Sequence, residues 1–251
     1  MKLSLLEMVQ DILSEMDSDE VNSINDTVES VQVAQTIKTC YFEMIGNRNW
    51  PHLRKLIQVE GLATPSMPNY LRVPENVKEL VFFKYDKRKL GDTKSTLQDV
   101  LYKEPDSFLR YVSSRNSDNT NVDEITDFSG SKILVLNDVA PTYWTTFDDQ
   151  HIVTDSYDST VDTTLQQSKT QALAYVNPTW SHIDAFIPNL PIEAFPALLA
   201  ESKSTCFFNI KQMPNQKAEQ KSARQQRWLS RKAWKTKGGV EYQDFGRKSR
   251  R

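Results

Sequence analysis

The feature that most constrains this chain is a change in the spacing of its apolar residues, which happens twice. Near the start, Leu3, Leu6, Val9, Leu13 and Met16 recur at helical steps, and Leu5, Met8 and Ile12 widen the stripe. Residues on that period share one face of an α-helix. After the breakers and caps of "DSDEVNSIND", a second stripe runs through Val28, Val31, Ala34, Ile37, Tyr41 and Met44 or Ile45. Its helix is expected to start near Asn25 or Asp26, whose side chains can accept the free amides of a first turn. It is expected to end at Gly46-Asn47 in a left-handed stop.

From Leu56 to about Val176 the period shortens. Runs of four to seven β-branched and aromatic residues alternate with Pro, Gly, Asn and Asp, which is the pattern of short strands and turns. The expected strands are "LIQVE", "NYLRV", "ELVFFKYD", "FLRYVSS", "SKILVLND", "TYWTTFDD", "HIVTDSY" and "QALAYV". "GLATPSMP" and "SRNSDNTNVDE" read as loops, and one short helix is expected between Thr93 and Tyr102. Helical spacing returns in "PNLPIEAFPALLAESKSTCFFNI", with Ile192, Phe195, Leu198, Leu199, Cys206 and Phe207 or Phe208 inward. A further helix in "MPNQKAEQKSARQQRWLSRKAWK" is stopped by Gly238-Gly239.

These elements predict an α+β protein. A four-helix bundle is formed by both chain ends, with an inserted, mainly antiparallel β domain and a basic C-terminal arm. The expected boundaries are 1–52 and 190–238 for the two halves of the bundle, 53–189 for the β domain and 239–251 for the basic tail.

Charge adds a second constraint. The 251 residues carry a net charge of -2, but its distribution is uneven. From Lys211 onward there are 13 Lys and Arg against three Asp and Glu, a net of +10, while residues 1–210 carry -12. Such a split points to a partner for the tail, or to the acidic body of one copy meeting the basic tail of the next. Lys217, Lys221, Arg224, Trp228, Arg231 and Lys235 fall at steps of three or four and form a cationic stripe, with Arg227, Lys232 and Trp234 on neighbouring faces. The stripe reads as a solvated helix face, as a docking surface for another subunit, or as a contact for a DNA backbone. Trp and Arg favour protein docking because they dominate interface energetics, whereas clustered Lys and Arg suffice for phosphate.

Catalytic signals are sparse. No G-x-S-x-G, Walker A, H-E-x-x-H or Rossmann glycine pattern occurs, and seven glycines leave little from which to build a phosphate loop. The acid-rich stretch "TTFDDQHIVTDSYDSTVDTT" holds Asp148, Asp149, His151, Asp155, Asp158 and Asp162, but lacks the glycine and terminal Glu of a calcium loop. Asp148-Asp149 reads as a hairpin turn. A hydrolase with its site at Asp148, Asp149 and Asp155 is the weaker alternative. The expectation is a protein that is not an enzyme and needs no metal or cofactor.

In "NRNWPHLRK", Trp50 is expected to cap the bundle and Pro51 to end the helix, the alternative being an aromatic and cationic binding patch. Cys40 and Cys206 lack C-x-x-C spacing and read as two buried thiols of a protein assembled in a reducing cytoplasm. The first 16 residues read as a helix rather than a secretion signal, and no run reaches the ~20 apolar residues of a membrane span.

Four stretches carry a resemblance: "INDTVESVQVAQTIKTCYFEMIGNRNWPHLRK", "YLRVPENVKELVFFKYD", "PTYWTTFDDQHIVTDSYDSTVDTTLQQSKTQALAYV" and "ESKSTCFFNIKQMPNQKAEQKSARQQRWLSRKAWK". Together they resemble the head-to-tail adaptors of short-tailed bacteriophages, the tail tubular protein A family. The resemblance implies a structural virion protein of the tail and neck region, assembled in the host cytoplasm. It implies a homo-oligomeric ring of about twelve copies, placed between the portal protein and the tail nozzle protein, with genomic DNA passing through the lumen. It assigns the portal-contacting role to residues 215–251. The acidic body would keep the lumen from adhering to moving DNA, because like charges repel. A DNA-binding protein that uses the same basic helix is the alternative.

Overall fold

A computed structural model describes residues 2–232, with side chains through Leu229. The protein is α+β, with five helices and a large, mainly antiparallel sheet among the described residues. It divides into two units, residues 1–53 with 178–251, and residues 54–177.

In the first unit, α1 (Leu5–Glu15) opens on a capping box: Ser4 Oγ accepts the Glu7 amide, and the Glu7 carboxylate accepts the Ser4 amide at 2.7 Å. Leu5, Met8, Val9, Ile12 and Leu13 turn inward, and Asp17 follows in the left-handed region with φ 56°. α2 (Val28–Gly46) is capped by Thr27, whose Oγ1 accepts the Ser30 amide at 3.0 Å. The Asx residues expected to start this helix act one turn earlier, where Asp26 accepts the amides of Asn22 and Ser23, each at 2.7 Å. The buried face of α2 is also rotated from the expected one. Val28 and Val31 are exposed, at 77% and 39%, while Val33 and Cys40 are buried beside Ala34, Ile37, Tyr41, Met44 and Ile45. The apolar pattern of α2 is diffuse, and the packing of its neighbours chose the arc. Its end is not left-handed: Asn47 keeps right-handed helical geometry at φ -66°.

α4 (Phe195–Lys211) follows a 3-10 turn at Ile192–Ala194, so Pro196 falls in the first helical turn, where its missing N–H costs nothing. Phe195, Leu198 and Cys206 are buried and Leu199 and Phe207 are partly covered, but Ile192 and Phe208 face outward. Gln212 ends the helix in the left-handed region at φ 53°. α5 (Gln216–Lys232) starts at Asn215, whose Oδ1 accepts the Ala218 amide at 3.1 Å. α1 packs on α2 and α4, α2 on α4, and α5 on α4. Cys40 and Cys206 are both buried and free, with burial pushing the Cys206 thiol up to about 12.

The segment 178–189, expected in the β domain, belongs to this helical unit. Its Phe186 and Asp184 carbonyls accept the Leu5 and Leu6 amides at 2.7 and 3.1 Å, satisfying first-turn donors that α1 cannot bond itself. The Asp184 carboxylate accepts the Ile24 amide at 2.8 Å, and Trp180 packs on Tyr41 with ring centroids 5.4 Å apart. A sequence period cannot reveal such a strap, because the contacts that tie it to α1 and α2 lie on distant parts of the chain.

The second unit is built on eight strands: β1 (Arg54–Ile57), β2 (Glu60–Gly61), β3 (Tyr70–Arg72), β4 (Val77–Asp86), β5 (Leu97–Tyr102), β8 (Tyr143–Thr145), β9 (His151–Thr154) and β10 (Thr170–Val176). Their order is β1-β10-β4-β5-β8-β9-β3-β2, antiparallel throughout except for the parallel β5–β8 pair. A separate antiparallel hairpin joins β6 (Val122–Thr126) to β7 (Lys132–Leu136). Phe83, Tyr70, Leu71, Val100, Ile133, Val135 and Ile152 share the core with Phe108 and Val112.

Two neighbouring segments exchange their expected roles. Residues 97–102, expected within a helix, form β5, and "FLRYVSS", expected as a strand, lies in α3 (Pro105–Ser113) up to its last serine, the C-cap Ser114. Pro105 sits in the first turn, an Asp106–Arg110 pair spans one turn at 3.0 Å, and Phe108 and Val112 bury one turn apart. Aromatic and β-branched content suggested a strand, but the i, i+4 burial decided for helix. β6 was likewise hidden inside a polar stretch that reads as loop.

Candidate functional site

The basic helix and the acid-rich turns are the two places where the sequence points to chemistry. On α5, Ala218, Ser222 and Leu229 are buried against the rest of the helical unit. Ser222 Oγ donates to the Glu201 carboxylate of α4. Small residues at steps of four let two helices approach closely. Lys217, Lys221, Arg224, Arg227 and Trp228 are all exposed, Trp228 at 41%. The helix backbone continues through Arg231 and Lys232, while Trp234, Lys235 and the Gly238-Gly239 stop lie outside the described residues. Among the described positions, the expected cationic stripe is an uncovered face.

The acid-rich stretch does not gather into one centre. Asp148 and Asp149 occupy the turn that joins β8 to β9. Asp148 Oδ1 accepts the amides of Gln150 and His151 at 3.0 and 2.8 Å, and its Oδ2 lies 2.6 Å from His151 Nδ1. Asp149 takes the left-handed conformation the turn requires, at φ 60°, and lines a different groove over β4 and β5. Asp155 is buried and binds Arg115 at 3.3 Å. Asp158 accepts from Thr160, and Asp162 pairs with Lys169. The three acids of the hydrolase alternative therefore stand in three different surroundings. Among the described residues, no three His, Cys, Asp or Glu side chains are placed to hold a metal ion. No described helix is long and apolar enough to cross a membrane.

A cavity of about 430 Å³ opens between the β8–β9 turn and the β6–β7 turn. The second of these, "DFSGS", closes with the Asp127 amide donating to Ser131 O at 2.8 Å and with Gly130 at φ 84°. Asp127 Oδ2 accepts the Ser129 amide and hydroxyl at 3.0 and 2.8 Å, and Oδ1 accepts the Tyr70 hydroxyl at 2.6 Å. Each turn thus sets one carboxylate beside one phenylalanine: Asp127 with Phe128, and Asp148 with Phe147. Phe128 and Phe147 remain 58% and 39% exposed. Asp148 and His151 stand out in the sequence, whereas Tyr70, Asp127, Phe128 and Phe147 do not. An Asp-Phe or Phe-Asp step inside a turn was the one local signal.

Partial burial works to raise the pKa of Asp127 and Asp148, but the hydrogen bonds from Tyr70 and Ser129, and from His151, outweigh it and hold both below the ordinary 3.8. Asp86 behaves alike, its burial outweighed by Ser95 Oγ at 2.7 Å, the Thr96 amide at 2.9 Å and Arg88. Folding favours the charged form of all three, so their contribution to stability is complete above pH 3.8 and is lost as pH falls below it. Urea midpoints are expected to change little between pH 7 and about 5 from these groups and to drop steeply below 3.8. Asp86→Asn should drop less across that lower range, and an equal drop would show that Asp86 is not part of the effect.

A scan against known protein-family models finds no match, and a search of characterised proteins by sequence finds none either.

Proposed function

We propose that this chain is a structural assembly protein, a head-to-tail adaptor that joins a phage portal to the tail nozzle as a ring of about twelve copies. In this reading the helical unit is a four-helix bundle made from both chain ends, and the tail from residue 215 is a docking arm. The observation that carries the reading is the exposed face of Lys217, Lys221, Arg224 and Trp228 on a helix whose adjoining face is anchored through Ala218, Ser222 and Leu229. A solvated helix has little use for a half-exposed tryptophan among cations, whereas an interface uses both. The strong negative charge of residues 1–210 supports the same role, since it weakens adhesion to DNA in a lumen.

The test is light scattering behind size-exclusion chromatography, with the full chain and a chain ending at Gln212 each mixed with a purified portal ring. The full chain should co-elute with the portal and the shortened chain should stay near its own mass. If both remain free, the adaptor reading fails. The Lys and Arg of the same stripe favour one other reading, a duplex DNA contact. That reading requires affinity that falls steeply with salt and is lost when Lys221 and Arg224 become Ala.

A further inference from the structure

The cavity between the β6–β7 and β8–β9 turns brings aromatic rings and carboxylates together, and the chain itself carries arginines of matching chemistry. We propose that this cavity binds an arginine side chain from residues 246–251, "GRKSRR", of a second copy of the chain. This rests on the reading of the protein as a self-assembling adaptor.

The cavity presents aromatic faces and anionic oxygens together. Phe128 stands edge-on to Tyr70, with centroids 5.7 Å apart, and lies 4.9 Å from the His151 ring. Phe147 packs edge-on against Phe108 at 6.4 Å, leaving its own surface partly open at the cavity. Aromatic faces attract cations, guanidinium more often than ammonium. The two carboxylates supply countercharge, and their geometry leaves acceptor capacity. Asp127 Oδ1 accepts the Tyr70 hydroxyl and Asp148 Oδ2 faces His151 Nδ1, while the other oxygen of each takes two donors from its own turn. A carboxylate offers about four lone-pair sites, so each can take a further donor. A neutral ligand would use the rings but not the charge.

The occupant follows from charge complementarity. Residues 246–251 contain Arg247, Lys248, Arg250 and Arg251 with no acid among them, and the body they would meet carries -12 over residues 1–210. A planar guanidinium can lie against a phenyl ring while its N–H groups reach a carboxylate, which a lysine ammonium cannot do in the same way. The basic stripe of α5 remains available for a separate partner, so the arm would hold its neighbour with its end and the portal with its helix.

The experiment titrates full-length protein into a fluorescent peptide of residues 240–251 and reads anisotropy. Binding should weaken about tenfold or more in Asp127→Asn, Asp148→Asn and Phe128→Ala. Asp118→Asn, which removes the same charge from an exposed site elsewhere on the unit, should bind as the unaltered chain does. Phe128→Ala is the arm that protects against misfolding, since that ring is 58% exposed and its side chain makes only ring contacts, with Tyr70 and His151. A peptide with Arg247, Arg250 and Arg251 changed to Lys should bind more weakly than the natural one. In sedimentation, concentration-dependent self-association of the full chain should decline in Phe128→Ala. Binding indifferent to all three cavity variants, or reduced equally by Asp118→Asn, overturns the proposal, and so does self-association that Phe128→Ala leaves unchanged. Portal co-elution of the same variants separates the two readings. Loss of cavity binding with portal association intact removes the cavity alone, and intact cavity binding without portal association removes the adaptor reading while the cavity stands.

Discussion

Replacing Asp155 with Ala is expected to cost roughly 3–5 kcal/mol of unfolding free energy, the largest single loss in the β unit. Asp155 and Arg115 have side chains only 2% and 9% exposed. Arg115 Nη1 donates to the Leu134 and Asp155 carbonyls at 2.9 and 2.6 Å, and Nη2 to the Asp155 carboxylate at 3.3 Å. The other carboxylate oxygen accepts the Thr142 and Tyr143 amides at 3.0 and 2.8 Å. One buried group therefore ties the end of α3 to β7, β8 and β9. Its removal leaves a guanidinium without its countercharge and two amides without their acceptor. Asp155→Asn keeps an oxygen for those amides and should cost less. Urea unfolding followed by fluorescence reads the difference. A loss under 1 kcal/mol for Asp155→Ala would show that water replaces these bonds and that the site is not sealed.

Trp50→Ala should destabilise the helical unit by about 3–5 kcal/mol, the range for emptying a buried aromatic site. Trp50 is 2% exposed, its indole N–H donates to Met44 O at 2.9 Å, and the Arg48 guanidinium carbon sits 3.6 Å above its ring. The indole thus satisfies a carbonyl from the last turn of α2, where the chain leaves helical geometry, and fills the space beneath. Trp50→Phe retains most of the volume and loses the donor, so about 1–3 kcal/mol is expected. Hydrogen exchange at α1 and α2 amides reports this loss directly. Unchanged protection in Trp50→Ala would return the residue to the role of a binding patch, the alternative its sequence context had left open.

These two sites differ in how visible they were beforehand. Trp50 stands at an abrupt boundary between patterns, beside a proline, and that local contrast was enough to assign it a structural role. Asp155 looked like one more acid in a run of them. Its burial depends on Arg115, forty positions away, which no spacing rule connects to it. The cavity is similar: Asp127-Phe128 and Phe147-Asp148 are about twenty residues apart, and only the packing of two hairpins brings them together.

By itself the sequence determined where helix gives way to strand and where helix returns, together with the basic face of α5 and the turn at Asp148-Asp149. Those features rest on interactions within about four residues, such as apolar period, caps and turn chemistry, which any short window contains. The tertiary structure alone decided the parallel β5–β8 pairing and the inward arc of α2, with Val33 and Cys40 inside and Val28 and Val31 outside. It also made 105–113 a helix, strapped α1 with residues 178–189, and joined two separate turns into one cavity. Each of these is a choice among local conformations of similar energy, and burial against distant partners tips it.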